Sequence, residues 1–169
     1  MSLLIDETGA LNDPFTRIES AEDLATAKGP LLVPVELIAE VLDGRRNERL
    51  GLIVANRTPV ETIEPHLSAF ELIAVTFPSF TDGRGLSLAR RLRRAGFTGR
   101  LRASGPLIAD QFAEAIACGF DEVELPDASA VRQPTEQWLA AKNSISAHYQ
   151  SGYGETRSIL QQRLATRKG

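Results

Sequence analysis

From residue 50 onward the chain alternates short apolar runs with longer segments of helical pattern, and this alternation limits the possible folds more than any other feature. Strands are predicted at 50–56, 72–78, 99–105 and 121–127. Helices are predicted at 59–70, 83–97, 107–120 and 131–150. Such an order produces right-handed βαβ units and a parallel sheet. We therefore expect an α/β fold with an open parallel sheet of about four to five strands and helices on both faces, in the three-layer arrangement of flavodoxin or Rossmann folds. A half-barrel that pairs with a second copy is the alternative.

The first 30 residues predict an extension packed on this domain. "LLID" at 3–6 has the pattern of a short strand, and a turn and a second extended piece follow it, as in a hairpin. Ser20 is placed to begin a short helix that ends at Gly29. The predicted organisation is an extension over 1–30, a single α/β domain over 31–150, and a partly mobile C-terminal tail over 151–169.

Composition excludes several classes of function. The 169 residues carry a formal net charge of −3, which does not suit a protein that coats nucleic acid. One cysteine and two histidines offer neither a disulfide framework nor the usual zinc ligands, so we expect no metal and no cofactor. No run is long and apolar enough for a membrane helix, and the acidic N-terminal stretch is unlike a signal peptide. A cytoplasmic location is the expectation.

The stretch "FPSFTDGRGLSLARRLRR" at 77–94 is the strongest candidate for a binding site. Thr81 or Asp82 can cap the following helix, and Gly83 and Gly85 allow a close approach of the backbone. Arg84 adds a donor suited to sulfate, phosphate or carboxylate, and Ser87 lies within the first turn. Two interpretations remain open: a capped helix start, or an anion site formed by backbone N–H groups and the guanidinium.

Other polar residues follow the predicted strands at the edge where parallel sheets bind ligands. Asn56, Ser104 and Asp110 are expected to lie near Asp82 and Arg84, although each also suits an ordinary turn or cap. Arg102 lies in a predicted strand and would need a carboxylate if buried, so a structural salt bridge is favoured there. In the binding hypothesis, Asp82 and Asp110 orient Arg84 and Arg102. The predicted site thus comprises Asp82, Gly83, Arg84, Gly85, Ser87, Arg102, Ser104 and Asp110.

The region 77–125 resembles a bacterial family of unknown function whose genes lie beside those for sulfite reductase and phosphoadenylylsulfate reductase. The shared pattern is F-P-x-F-x-D-G-R-G-x-S, then G-x-L-R-A-x-G, D-Q and G-F-D. Here its positions are Phe77, Pro78, Phe80, Asp82, Gly83, Arg84, Gly85, Ser87, Gly99, Leu101, Arg102, Ala103, Gly105, Asp110, Gln111, Gly119, Phe120 and Asp121. The resemblance implies a role in assimilatory sulfur metabolism rather than a mechanism.

Three functions follow as expectations. The first is an accessory protein that binds a small anion, a nucleotide sulfate or a reductase partner at 82–87. The second is a small redox or transferase enzyme that uses Asp82 or Asp110 as general acid or base; no catalytic residue is assigned. The third is a structural homodimer that pairs through Leu86 and an alanine stripe at 109, 113 and 117.

Overall fold

The computed structural model describes residues 2–45 and 47–142. These residues form one eight-stranded sheet in the order β2-β1-β8-β7-β6-β5-β4-β3. The strands are β1 Leu3–Asp6, β2 Gly9–Leu11, β3 Thr16–Arg17, β4 Leu31–Pro34, β5 Leu50–Ala55, β6 Leu72–Thr76, β7 Arg100–Ser104 and β8 Glu122–Leu125. Strands β3 to β8 run parallel, whereas β1 is antiparallel to both β8 and β2.

Helices connect the parallel strands as the alternation predicts. They are α1 Ala21–Thr26, α2 Ile38–Gly44, α3 Val60–Ile63, α4 Arg84–Arg94, α5 Phe112–Ala117 and α6 Asp127–Ala130, with 3₁₀ turns at Val35–Leu37, Glu64–Ala69 and Ala109–Gln111. Helical structure also covers 135–142. Ser20 begins α1 as predicted, because its side chain accepts a hydrogen bond from the N–H of Asp23 while the Asp23 carboxylate accepts from the N–H of Ser20. The predicted tail at 151–169 lies outside the described residues.

The sheet is curled, and chain connectivity requires it. Strands β2 and β3 form opposite edges, yet only residues 12–15 connect them. When fully extended, this β2–β3 linker can span at most about 18 Å. The edges of a flat sheet of this size would lie about 34 Å apart, at roughly 4.8 Å per strand. The sheet must therefore bend until its edges approach each other, and the linker crosses the concave side.

The described helices cover the convex side of the sheet. In β6, Ile73 and Val75 belong to the large core that also contains the helical residues, whereas Leu72 and Ala74 belong to a second, smaller cluster. Among the described residues, that second cluster holds no helical member; Phe15, next to the linker, packs against it. The prediction of helices on both faces is thus not confirmed in the described part of the chain. Strands β4 to β8 are neighbours in chain order, so right-handed connections place every helix on one side.

The prediction of four to five strands was also wrong, because the N-terminal segment adds three. Strands β1 and β2 form the expected hairpin, but they extend the sheet beyond β8 instead of lying on the domain. Strand β3 then extends the opposite edge beside β4. The sheet shares its sequential strand order with the half-barrel fold that we gave as the alternative. The pairing of such a half-barrel with a second copy stays a prediction.

The surface expected for a homodimer is exposed only in part, since Ala117 is exposed and Ala113 half-buried, and the homodimer stays a prediction. Leu86 is buried in the convex core, where it packs with the other apolar side chains of α4. Ala109 is buried as well. Neither residue therefore offers free surface to a second copy. None of the helices in the described part of the chain has the length and apolar character needed to cross a membrane.

Candidate functional site

A cleft opens where β5 ends and α4 begins. Its volume is about 300 Å³. The lining residues are Asn56, Arg57, Thr58, Arg84, Ser87, Leu88 and Arg91. Two of them, Arg84 and Ser87, belong to the predicted site, and Asn56 was expected nearby. This is the carboxyl edge of the parallel strands, where α/β sheets commonly bind ligands.

The Asp82 carboxylate is fully engaged with Arg84 at the start of α4. It accepts hydrogen bonds from the Arg84 backbone N–H at 3.3 Å, from Nε at 2.7 Å and from Nη2. The hydrogen bonds from the Arg84 guanidinium are the largest influence that holds the pKa of Asp82 well below its usual range, and the Asn56 side chain lowers it further. Asp82 therefore stays ionised and presents Arg84 with an internal anion.

The N-cap differs from the predicted one. Gly83 occupies that position with φ −71° and ψ 0°, and it provides no capping side chain. Asp82 lies one residue earlier and reaches the Arg84 N–H in a local turn. Thr81 instead hydrogen-bonds Ser79 through its hydroxyl and its N–H.

The two glycines have different roles, neither of which needs an unusual backbone. Among the described residues, the glycines with positive φ include neither Gly83 nor Gly85. A side chain at Gly85 would clash with the ring of Phe77, whereas a Cβ at Gly83 would meet no heavy atom within 4 Å. Gly85 is thus required for helix-to-sheet packing, while the surroundings of Gly83 leave it unconstrained.

Asn56 and Arg57 form the turn that follows β5. The turn is closed by the hydrogen bond from Thr58 N–H to the Ala55 carbonyl oxygen at 2.9 Å. Asn56 is only 7 % exposed, and its buried Nδ2 meets no hydrogen-bond acceptor among the described residues. Arg57 is exposed, and no ion pair engages it within that part of the chain. By contrast, Arg91 pairs with Glu61 at 2.8 Å.

Ser104 and Asp110 do not line the cleft. Ser104 ends β7, and its carbonyl oxygen accepts a hydrogen bond from the Phe77 N–H at 2.7 Å. Asp110 lies exposed in the turn before α5. The adjacent Gln111 donates from Nε2 to the Phe80 carbonyl oxygen at 2.7 Å, which ties that turn to the loop before α4.

Arg102 lies on the concave face, in an ionic network in which the second oxygen of Glu122, Oε2, has no hydrogen bond and is paired with Arg100 by charge. Its Nη1 and Nη2 donate to Asp13 at 2.6 and 3.0 Å, and its Nε donates to Glu122 at 2.7 Å. Glu124 lies 3.6 Å from Nη1 and accepts from Arg17 at 3.0 Å. The expected structural salt bridge is present, but Asp82 and Asp110 do not orient Arg102.

Sequence reasoning missed Asp13 and Glu122 as partners of Arg102. A signal for Glu122 was available: β7 and β8 carry alternating arginines and glutamates, and Arg102 pairs in register with Glu122. Asp13 had no such signal, because 89 positions separate it from Arg102. The residues described contain no group of three or more metal-type side chains that could hold an ion.

The protein is thus an α/β protein with a curled sheet in sequential strand order and a cationic cleft at the carboxyl edge of that sheet. The chain belongs to the family described as "Bacterial protein of unknown function (DUF934)", whose model matches residues 51–160. The expected uncharacterised bacterial family is thereby confirmed, while its gene neighbourhood stays a prediction. No curated protein matches the chain.

Proposed function

We propose that this protein is a cytoplasmic accessory protein of assimilatory sulfate or sulfite reduction. It binds a small sulfur oxyanion, or the sulfate group of a nucleotide, in the cleft beside α4, and it presents that ligand to a reductase partner. The setting is supported by the motif resemblance over 77–125. The binding role is supported by one structural observation: the cleft contains cationic and N–H donors that the protein's own acceptors do not fully satisfy.

The enzymatic alternative is less well supported. A general acid or base works best when its pKa lies near the working pH. The pKa of Asp82 is instead held well below its usual range, chiefly by the guanidinium of Arg84. Asp110 lies outside the cleft. Neither carboxylate suits proton exchange with a ligand bound there, so we assign binding rather than turnover.

Calorimetric titration of the full chain with sulfite, sulfate and adenylylsulfate tests the binding role. Arg84→Ala leaves the Asp82 carboxylate without its partner in the cleft, so we expect affinity to fall about tenfold or more, as expected for loss of a charged hydrogen-bonding group. Arg94→Ala is the matched control, because Arg94 is an exposed arginine of the same helix that does not line the cleft. Equal affinity in the wild type and Arg84→Ala, or no binding by the wild type, contradicts the proposal.

Growth of a deletion strain tests the metabolic setting separately. We expect the strain to grow poorly with sulfate as sulfur source and normally with cysteine. Normal growth on both would contradict a role in sulfate assimilation without bearing on whether the cleft binds an anion.

A further inference from the structure

The polar groups of the cleft differ in whether they already have a partner. Arg84 is paired with Asp82, and Arg91 is paired with Glu61. Arg57 has no carboxylate, and the Ser87 hydroxyl has no hydrogen bond, in the part of the chain that the structure describes. One positive charge and one deeply buried amide donor, Asn56 Nδ2, therefore remain without an acceptor.

A buried donor without an acceptor is uncommon in folded proteins and points to a missing partner. Asn56 is more than nine-tenths buried, so bulk water does not supply that partner. The Asp82 carboxylate lies nearby, and the Asn56 side chain contributes to lowering its pKa. That carboxylate is already occupied by the N–H and guanidinium of Arg84. It does not meet Asn56 Nδ2 at hydrogen-bond geometry. What the cleft lacks is one acceptor group that carries negative charge.

We propose that Asn56 Nδ2 and Arg57 hold the ligand's oxyanion group, with the Ser87 hydroxyl as a further donor from α4. The Asp82–Arg84 pair then forms a fixed, electrically neutral wall of the cleft and does not itself hold the ligand. This inference rests on the proposed function and locates the ligand within it. It moves the binding site from the glycines at the start of α4 to the turn after β5.

The chemistry of these groups defines the ligand class. Each of them can donate a hydrogen bond, so the ligand must present lone pairs toward them. Arg57 requires a net negative charge, and its planar guanidinium favours the paired oxygens of a sulfo, sulfonate or phospho group. The cleft of about 300 Å³ is larger than one oxyanion fills, since one water occupies about 30 Å³ of liquid. Both a free oxyanion and a sulfo or phospho group on a larger molecule fit this description.

Titration calorimetry with three probes and four variants tests the assignment. The probes are inorganic sulfate, inorganic phosphate and adenylylsulfate. The variants are Arg57→Ala, Asn56→Leu, the double variant Asp82→Asn/Arg84→Ala, and the control Arg94→Ala. Arg57 is exposed, so Arg57→Ala keeps its fold. Asn56→Leu removes a buried unsatisfied donor while keeping the branched heavy-atom shape of the side chain, so we expect an unchanged or higher melting temperature.

We expect Arg57→Ala and Asn56→Leu each to weaken binding about tenfold or more relative to Arg94→Ala. The double variant removes the Asp82–Arg84 pair as a neutral unit, so we expect it to retain affinity within about threefold. Equal binding of inorganic sulfate and adenylylsulfate would identify a free oxyanion as the ligand. Binding of adenylylsulfate alone would identify a group carried on a nucleotide.

Two results would overturn the assignment, and they are distinguishable from each other. Binding that is unchanged in Arg57→Ala but lost in the double variant would place the ligand on Arg84; the proposed function would stand and this inference would be wrong. A wild-type chain that binds none of the three probes would overturn this inference, and one that also fails to bind sulfite would overturn the proposed function. If Asn56→Leu does not fold, Arg57→Ala and the double variant decide the question by themselves.

Discussion

The two arginine clusters of this protein differ in how completely their charges are paired. On the concave face, the Nε, Nη1 and Nη2 atoms of Arg102 each have a carboxylate acceptor, and both Arg102 and Glu122 are 1 % exposed. In the cleft beside α4, Arg57 has no such partner in the described chain, and Asn56 Nδ2 meets no acceptor. The first cluster is closed and holds the curled sheet to its own linker. The second is incomplete and open to a ligand.

The comparison separates two roles that the sequence places together. Arg84 and Arg102 both lie in the stretch 77–125 and were expected in one site. The burial of Arg102 and its carboxylate partners assign it to the stability of the fold, and the proposed recognition is left to the cleft. Changes in the concave network should therefore alter the free energy of unfolding, and changes in the cleft should alter affinity.

The largest expected effect is that of Arg102→Met. This change leaves the Asp13 and Glu122 carboxylates without their shared cation; Glu122 is fully buried and keeps only Arg100 as a cationic partner. Breaking a buried ion pair from one side costs about 3–5 kcal/mol of unfolding free energy. Urea denaturation measures the loss, with Arg94→Ala as the control that removes an exposed arginine. A loss below about 1 kcal/mol would show that the network does not hold the sheet.

The next largest effect comes from a matched pair of glycine variants at the start of α4. Gly85→Ala forces a methyl group against the Phe77 ring and should cost about 1–3 kcal/mol, as overpacking does. Gly83→Ala places its methyl group in open space at an ordinary φ and should change stability by less than about 0.5 kcal/mol. Thermal unfolding measures both. If Gly83→Ala were the more damaging variant, the packing role of Gly85 would be wrong.

Sequence reasoning predicts the local parts of this fold well. The strands β5 to β8 and the helices α1 and α4 lie where apolar periodicity and capping residues place them, because those signals are contained in a few neighbouring residues. The number of strands and the absence of described helices from the concave face could not be predicted this way. They depend on the pairing of β1 with β8 and of β3 with β4, which no local pattern specifies.

The same limit applies to the candidate site. The sequence locates Asn56, Arg84 and Ser87 at one edge of the sheet, because strand ends in a parallel sheet meet there. It could not show that Asp82 engages Arg84 so fully or that Arg57 has no partner, since pairing depends on side-chain geometry. Arg102 was misplaced because its partner Asp13 reaches it through the β2–β3 linker, a contact created by the curl of the sheet.

Asp13→Asn tests the same network through its pH dependence. Partial burial alone would raise the pKa of Asp13, but the hydrogen bonds from Arg102 and from the Phe15 N–H, with the Arg102 charge, outweigh it and lower the pKa. A lowered folded-state pKa adds stability above the ordinary pKa of aspartate, about 4, and that stability is lost as the pH falls toward the folded-state value.

We therefore expect Asp13→Asn to lose about 1–2 kcal/mol at pH 7, for a hydrogen-bonded charge that is partly exposed. The difference between variant and wild type should shrink as the pH falls below about 4. Urea midpoints measured between pH 3 and pH 7 give this difference. A gap that stays constant over that range would mean that the Asp13 charge does not contribute to the network.

The smallest expected effect is a gain of affinity in Asp82→Asn. The change removes the internal anion that occupies Arg84 and leaves the cleft with one more uncompensated positive charge. The Asp82–Arg84 pair is largely solvent-screened, so we expect sulfate to bind only about two- to fivefold more tightly, with an advantage that shrinks as salt is added.

The wild-type affinity itself should stay flat between about pH 5 and 8, because arginine does not titrate there and the pKa of Asp82 lies well below that range. Calorimetry at two salt concentrations measures both expectations, with Asp110→Asn as the control for an exposed carboxylate outside the cleft. Weaker binding by Asp82→Asn would mean that the carboxylate positions Arg84 for the ligand. Arg84, rather than Arg57, would then be the arginine that binds the oxyanion.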